Sequence, residues 1–426
     1  MRRVSTFSLI YNPVFPPQPT NQQQIWSFFF QQLIMTISNS NLFKPIKVSN
    51  KTIKNRIAHL PTTRNRATDD HVPTDLMKKY YTDRAKSGSL LITEATLISL
   101  DQGIYSNVPG IWNKQQKDAW KEITDSVHSV GGTIAIQLWA LGRVGNAKLL
   151  KDEGLPLTGV SPIYENEKAE QDAIEAGNPI QELTQDQIKD IIYNQFAKAV
   201  KLADEAGFDF IELHGANGYL FEQFVHPGTN KRTDKYGGSI ENRARFLFEV
   251  VDHVSTIVDP AKLAIRLSPL NKFQVPFINP EGQQDYSYIV EGLQRRADEG
   301  KGFAFIDVVE GRFTSDGGTE GCNVDFVREI WKGPLLRGGN YTYDRKNDWK
   351  TIENDANADD RTLVGFGRYF IANPDLPDRI KKGNELNDYD RSTFYNKDDY
   401  GYNTYPFYGE ESKADPNVKV LGVPLA

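Results

Sequence analysis

The feature that most restricts the fold of this 426-residue chain is a recurring order of short apolar run, loop and helical segment. Eight such runs are short, continuous and apolar, as strands of a parallel sheet covered on both faces are. They are Arg56–Pro61, Ser89–Ala95, Thr133–Trp139, Phe208–His214, Leu263–Pro269, Phe303–Glu310, Pro334–Gly339 and Thr362–Gly367. Helical patterns follow the second to fifth runs, at Gln115–Val130, Thr184–Ala206, Ser239–Val258 and Ser287–Gly300. The order predicts an α/β fold of one domain, a (β/α)8 TIM barrel.

The alternative fold is a doubly wound open sheet with a second domain. No Gly-x-Gly-x-x-Gly motif follows the first strand, which counts against a dinucleotide-binding sheet of that kind. In a barrel, functional side chains lie where the strands end. The predicted strand ends carry Thr, Glu, Gln, Trp, His, Arg, Ser and Asn, so they favour the barrel.

The ends of the chain differ in composition from its centre. Residues 1–68 contain no Asp or Glu and nine Lys or Arg, and four prolines fall between positions 13 and 19. Because proline breaks amphipathic helices, we expect a disordered extension over 1–40 rather than a mitochondrial transit peptide. The barrel is predicted to span 41–410, with a Tyr-rich wrap at its end. A C-terminal tail is predicted to follow over 411–426.

Bulk properties exclude several classes of protein. The net charge is −6, which argues against a nucleic-acid-binding protein, and no apolar run is long enough for a membrane span. Cys322 is the only cysteine, so no internal disulfide forms and a cytoplasmic location is expected. The six histidines have no metal-ligand spacing, and we expect no metal site.

The end of the fourth predicted strand carries three hydrogen-bonding side chains, His214, Asn217 and Tyr219. His and Asn can both donate to one carbonyl oxygen, and Tyr can supply a proton. By default such residues are a buried histidine, a turn asparagine and a packed ring. Their clustering at a catalytic face favours polarisation of an unsaturated carbonyl compound.

Two other groups of residues point to a phosphorylated cofactor with a polar ring. Gly338-Gly339-Asn340 and Gly365-Phe366-Gly367-Arg368 end the last two strands, where barrels often bind phosphate. Gln137 and Arg266 can grip a uracil-like ring edge, and Thr63 can bond a ring carbonyl. The alternative is that Gln137 and Arg266 satisfy each other or a buried carboxylate such as Glu94.

Residues 41–408 resemble the Old Yellow Enzyme family of flavin-dependent ene-reductases, most closely a fungal branch that includes the steroid-binding estrogen-binding protein. The segments that carry the resemblance are His214–Tyr219, Asn230–Arg245, Asn41–Lys47, Pro61–Ala67, Gln137–Gly142, Ile330–Gly333 and Asn373–Leu376. The chain departs from the family at Gly311, where Pro is expected, and in a shorter loop over 314–323 that borders the substrate.

The resemblance implies an FMN-containing barrel that NADPH reduces and that then reduces α,β-unsaturated carbonyl compounds. It implies that His214 and Asn217 bind the substrate carbonyl, that Tyr219 protonates the α-carbon, and that Tyr395 contacts substrate or nicotinamide. It further implies that FMN N5 delivers hydride to the β-carbon. The FMN-binding residues that it implies are Pro61, Thr63, Ala95, Gln137, Arg266, Gly339, Asn340, Gly367 and Arg368.

Two other functions stay open from the sequence alone. One is a flavoprotein that binds steroids or phenols, with reductase activity incidental; the other is a barrel of this family without flavin. The expected partners are small enones, phenols or steroids, with no nucleic acid, no membrane and a possible homodimer.

Overall fold

Eight strands that are buried on both faces close into a parallel barrel, as the sequence predicts. The structure, a computed structural model, describes residues 37–270, 272–310, 324–339, 341–412 and 414–426. In chain order the strands are β1 (Ile46–Val48), β2 (Lys51–Ile53), β3 (Ile57–His59), β4 (Leu90–Leu97), β5 (Thr133–Trp139), β6 (Thr158–Gly159), β7 (Gln181–Glu182), β8 (Phe210–Gly215), β9 (Leu263–Leu267), β10 (Phe305–Val309), β11 (Leu335–Gly338) and β12 (Thr362–Phe366). The barrel order is β10-β11-β12-β3-β4-β5-β8-β9.

Helices cover the outside of the barrel. In the described part of the chain they are α1 (Asp75–Ala85), α2 (Lys114–Ser129), α3 (Ala147–Asp152), α4 (Glu167–Glu175), α5 (Gln185–Asp190), α6 (Ala197–Glu205), α7 (Leu220–Val225), α8 (Ile240–Arg243), α9 (Arg245–Val254), α10 (Gly282–Asp298), α11 (Asp325–Ile330), α12 (Lys350–Asn357), α13 (Arg368–Ala372) and α14 (Leu376–Lys382). None of these has the length and apolar character that a bilayer crossing requires.

The predicted helix over 184–206 is divided. It consists of α5, a π-helical turn over Ile191–Phe196, and α6. In the π-helical turn the backbone hydrogen bonds join residues five positions apart, where an α-helix joins residues four apart. The start of α5 has a reciprocal cap: Thr184 accepts from the backbone of Gln187, whose side chain accepts from the Thr184 backbone. The predicted helix over 239–258 is likewise divided at Ala244 into α8 and α9.

The barrel interior is apolar at its lower end and polar at its upper end. Phe210 and Phe305 pack edge to face with ring centroids 5.8 Å apart, within an interior cluster that includes the β1–β2 hairpin. Strand register then places Gln137 beside Glu212, and Arg266 beside both His214 and Asp307. The change from apolar to polar layers puts ionisable groups directly beneath the carboxyl ends of the strands.

Candidate active site

A cavity of about 440 Å³ opens at the carboxyl ends of the barrel strands. Most of the predicted site residues line it: Pro61, Thr63, Ala95, Gln137, His214, Asn217, Tyr219, Arg266, Arg368 and Tyr395. A larger surface cleft, of about 740 Å³, lies beside Lys148 and Asp172, but no barrel strand reaches it. Ligand sites of barrels lie at strand ends, so position rather than size identifies the site.

The His214–Tyr219 segment holds its shape through a buried acid and a serine. Asn217 and Gly218 have left-handed backbones, with φ of 58° and 75°. The Asn217 backbone donates to Ser268 Oγ at 2.8 Å, and the Gly218 backbone donates to Glu222 Oε2 at 2.8 Å. A Cβ at Gly218 would lie 2.6 Å from that of Gln274, so only glycine fits. This turn directs the residues on both sides of it into the cavity.

His214 and Tyr219 form one wall of the cavity with Trp139. The ring centroids of His214 and Tyr219 are 4.8 Å apart, and Trp139 meets Tyr219 edge to face at 4.9 Å. Burial and the neighbouring Arg266 charge lower the pKa of His214 to about 3. The imidazole is therefore neutral at physiological pH, and its buried Nδ1 has no hydrogen-bond partner among the described residues.

The Tyr219 phenol is protonated at neutral pH. Burial raises its pKa to about 12, and a side-chain hydrogen bond with Gln274 acts in the opposite direction. The Gln274 side-chain amide also donates to the Asn217 backbone carbonyl at 2.8 Å, and the Gln274 backbone carbonyl accepts from Arg143 at 2.8 Å. Gln274 therefore ties the proton-bearing tyrosine to the Asn217 turn, a contact that the sequence analysis missed.

Gln137 and Arg266 both bond to buried carboxyl groups, which is the alternative that the sequence left open, although the partners differ from the one suggested. Gln137 donates to Glu212 at 2.7 Å, and Arg266 pairs with Asp307. Glu94 instead accepts from the Arg64 backbone at 3.2 Å, and burial raises its pKa to about 7. The remaining amide and guanidinium groups of Gln137 and Arg266 still line the cavity.

A second cavity, of about 290 Å³, adjoins the first and shares Pro61, Thr62, Arg266 and Arg368 with it. Gly338, Gly365 and Gly367 line it at the ends of the last two strands. A Cβ at Gly338 or Gly365 would lie 2.8 or 2.5 Å from Leu60 side-chain atoms, so these two glycines admit Leu60. Gly339 is buried directly after Gly338, and Asn340, like the 314–323 loop, lies outside the described residues.

The two cavities together fit FMN. One is lined by an amide, a guanidinium and aromatic rings, and the other by glycines and the exposed side chain of Arg368, as a flat ring and a phosphate require. The hydroxyl oxygen of Thr62 and the indole Nε1 of Trp139 are buried without a partner among the described residues. Neither residue was among the predicted site residues, although Trp139 follows Gln137 by two positions on the same inward face.

Tyr395 lies at the rim of the first cavity and is 61% exposed. Its segment is fixed by two buried arginines that follow Thr63 in the chain: Arg64 Nε and Arg66 Nη1 donate to the Phe394 carbonyl at 3.0 and 2.7 Å. This arrangement agrees with the expected Tyr-rich wrap at the rim, and it presents one tyrosine to the cavity mouth.

Known proteins match this chain along nearly all its described length. Residues 41–387 match the NADH:flavin oxidoreductase / NADH oxidase family. A probable NADPH dehydrogenase of Candida albicans is 47% identical over 400 residues, covering 92% of this chain and 95% of the relative. Enoate reductase 1 of Kluyveromyces lactis is 40% identical over 386 residues, covering 88% and 96%. The crystal structure of Old Yellow Enzyme from Pichia sp. AKU4542 superposes with a TM-score of 0.86 at 43% identity, covering 91% of this chain and all of that one.

The chain belongs to the NADH:flavin oxidoreductase family. It is an enzyme of the Old Yellow Enzyme type that uses FMN, with NADPH as reductant. The predicted family, fold and cofactor are thereby confirmed. The alternative of a barrel without flavin does not agree with these findings.

Proposed function

We propose that the enzyme reduces the carbon–carbon double bond of α,β-unsaturated carbonyl compounds through the residues named above. The observation that carries the proposal is that a neutral histidine, an asparagine and a protonated tyrosine line one cavity together with Gln137 and Arg266. The printed name of the Kluyveromyces lactis relative, enoate reductase, agrees with this chemistry.

The substrate carbonyl is held by two neutral donors. His214 and Asn217 each donate a hydrogen bond to its oxygen, which lowers the energy of the empty π orbital and stabilises the negative charge that develops as the double bond is reduced. Because the imidazole is neutral, it needs no proton from solvent to act as a donor in the working pH range.

The reduction balances when one hydride and one proton are added. When bound, FMN would supply the hydride for the C–H bond at the β-carbon. Tyr219 supplies the proton that forms the C–H bond at the α-carbon as the π bond breaks. The hydrogen bond with Gln274 favours the tyrosinate that remains, until solvent returns its proton.

The remaining cavity residues are assigned to the cofactor. Gln137 and Arg266 hold the isoalloxazine edge, where the guanidinium charge stabilises the reduced, anionic ring, and Thr63 bonds a ring carbonyl. The rest of the FMN site is assigned to Pro61, Ala95, Gly339, Asn340, Gly367 and Arg368. Tyr395 is assigned to the outer end of the substrate or nicotinamide site.

A second candidate function is a steroid- or phenol-binding flavoprotein whose reductase activity is incidental. The aromatic lining of the mouth favours it, because Tyr105, Trp139, Phe273 and Tyr395 offer wide apolar surface to a polycyclic ligand. We also infer a cytoplasmic enzyme, from the single cysteine, and a homodimer, from the family.

Steady-state turnover separates these two functions. NADPH oxidation is measured with 2-cyclohexenone under nitrogen, and without enone in air. The reductase proposal predicts enone-dependent oxidation well above the rate with oxygen, with formation of cyclohexanone. Tight steroid binding together with negligible enone turnover would establish the binding protein instead.

The neutral state of His214 leads to a prediction about pH. Between pH 5 and 8, we expect the dissociation constant of 2-cyclohexenone for the oxidised enzyme to stay constant, because the lowered pKa of His214 keeps its charge unchanged in that range. A histidine with the usual pKa of about 6.5 would titrate there. Flavin absorbance titrations at several pH values measure the constant, and a break near pH 6.5 that disappears in His214→Asn would contradict the assignment.

The same lowered pKa affects stability with a definite sign. Unfolded His214 takes up a proton below about pH 6.5, whereas the folded residue does not until near pH 3. Protonation of His214 in the unfolded chain therefore lowers the free energy of unfolding as the pH falls from about 6.5 to about 3.

A further inference from the structure

Beneath the cavity, two fully buried carboxyl groups face one guanidinium. Glu212 on β8 and Asp307 on β10 are each 0% exposed, and Arg266 on β9 lies between their strands. Asp307 Oδ2 accepts from Arg266, and Glu212 Oε1 accepts from Gln137 of β5 at 2.7 Å. Among the described residues, Arg266 is the only charged group seen to bond to this pair, so two carboxylates would leave a buried net negative charge.

The second oxygens of the two acids show how that charge is avoided. Glu212 Oε2 and Asp307 Oδ1 are both buried, and neither is seen to accept a hydrogen bond from a donor group of the described residues. The two carboxyl groups do interact with each other. One proton between these two oxygens satisfies both, because a protonated carboxyl donates where a carboxylate only accepts. Burial, and then the charge of Asp307, raise the pKa of Glu212, while Arg266 and Gln137 act against them.

We propose that Glu212 is protonated and donates to an ionised Asp307, and that Asp307 is a positioning residue that orients Arg266 and sets the charge beside the FMN. In this arrangement Arg266 meets one negative charge rather than two. The charge of the Arg266–Asp307 pair then sets the reduction potential of bound FMN. This effect on FMN rests on the proposed function, which places Arg266 at the isoalloxazine edge.

Two near-isosteric substitutions separate the two acids. Asp307→Asn removes the ionised partner that Arg266 has in the described part of the chain, so the positive charge beside the cofactor is no longer neutralised. We expect the midpoint potential of bound FMN to rise by about 30 mV or more, a tenfold change in the equilibrium constant of its two-electron reduction. Glu212→Gln keeps a neutral group of the same shape, so the potential should stay near the wild-type value.

The proton itself is read by infrared spectroscopy at pH 7, without flavin chemistry. The wild-type minus Glu212→Gln difference spectrum should contain the C=O stretching band of a protonated carboxyl. The difference is needed because burial raises the pKa of Glu94 to about 7, so that residue contributes its own band. The readout also serves if Asp307→Asn fails to fold.

Each outcome decides for or against the proposal. A carboxyl band lost in Glu212→Gln, with the potential raised by Asp307→Asn alone, supports it. Equal rises in both variants would mean that Glu212 is ionised as well, and no lost band or no rise in Asp307→Asn would also overturn it. Neither readout uses an enone, so failure of the enone reductase function would leave these results unaffected.

Discussion

Replacing Tyr219 by Phe slows reoxidation of the reduced flavin by 2-cyclohexenone by about 10²- to 10⁴-fold, the usual contribution of a positioned acid. Reduction of the flavin by NADPH keeps its wild-type rate, because that half-reaction needs no proton from this phenol. The ring and its contacts with Trp139 and His214 are retained in the variant, so the cavity wall is preserved. Anaerobic stopped-flow spectroscopy at the flavin band measures the two half-reactions separately.

Tyr193→Phe is the matched control for this prediction. Tyr193 is 47% exposed, lies in the π-helical turn outside the barrel, and loses the same hydroxyl on substitution. Both half-reactions should be unchanged in that variant. Equal losses in the two half-reactions of Tyr219→Phe would show that the residue shapes the cavity and does not deliver the proton.

The second large effect concerns stability. Replacing Arg243 by Ala lowers the free energy of unfolding by about 3–5 kcal/mol, because it leaves the buried Asp285 carboxylate without its charged partner. Arg243 donates two parallel hydrogen bonds of 2.8 Å to the Asp285 carboxylate, and the two residues are only 5% and 3% exposed. Arg243 also donates to the Gly238 carbonyl at 3.0 Å. The pair joins the Asn230–Arg245 segment to α10. Urea denaturation of the holoenzyme gives the change.

Arg245→Ala is the control within the same segment. Arg245 is half-buried and donates to the Lys235 carbonyl at 2.7 Å and to Asn242 at 2.8 Å, so its loss should cost only about 0.5–1.5 kcal/mol for each hydrogen bond. If the two variants lose equal stability, the buried pair does not have the importance given to it here.

The barrel was predictable because strands of a parallel sheet that are buried on both faces appear in the sequence as short, continuous apolar runs. β5 runs over Thr133–Trp139 as predicted, and the other barrel strands differ from their predicted bounds by at most two residues at either end. Short helices such as α11, α12 and α14 were missed, since six to eight residues show too little periodicity to identify a helix.

The residues that form the cavity were predictable, but their partners were not. Which carboxyl group meets Gln137 or Arg266 depends on strand register, which pairs Gln137 with Glu212 and Arg266 with Asp307. Register between strands far apart in the chain is set by packing, so Glu94 was the wrong candidate. Gln274 was missed for a related reason: it lies in a loop after β9, and only the folded chain brings it to Tyr219.

The central claim is that one cavity carries out both half-reactions, and an absorbance titration of the purified protein tests it most directly. The oxidised flavin band is recorded, NADPH is added without oxygen, and 2-cyclohexenone follows. The account predicts that the band bleaches with NADPH and returns with the enone. A protein that takes up FMN and bleaches, but stays reduced when the enone is added, would contradict the proposed reaction.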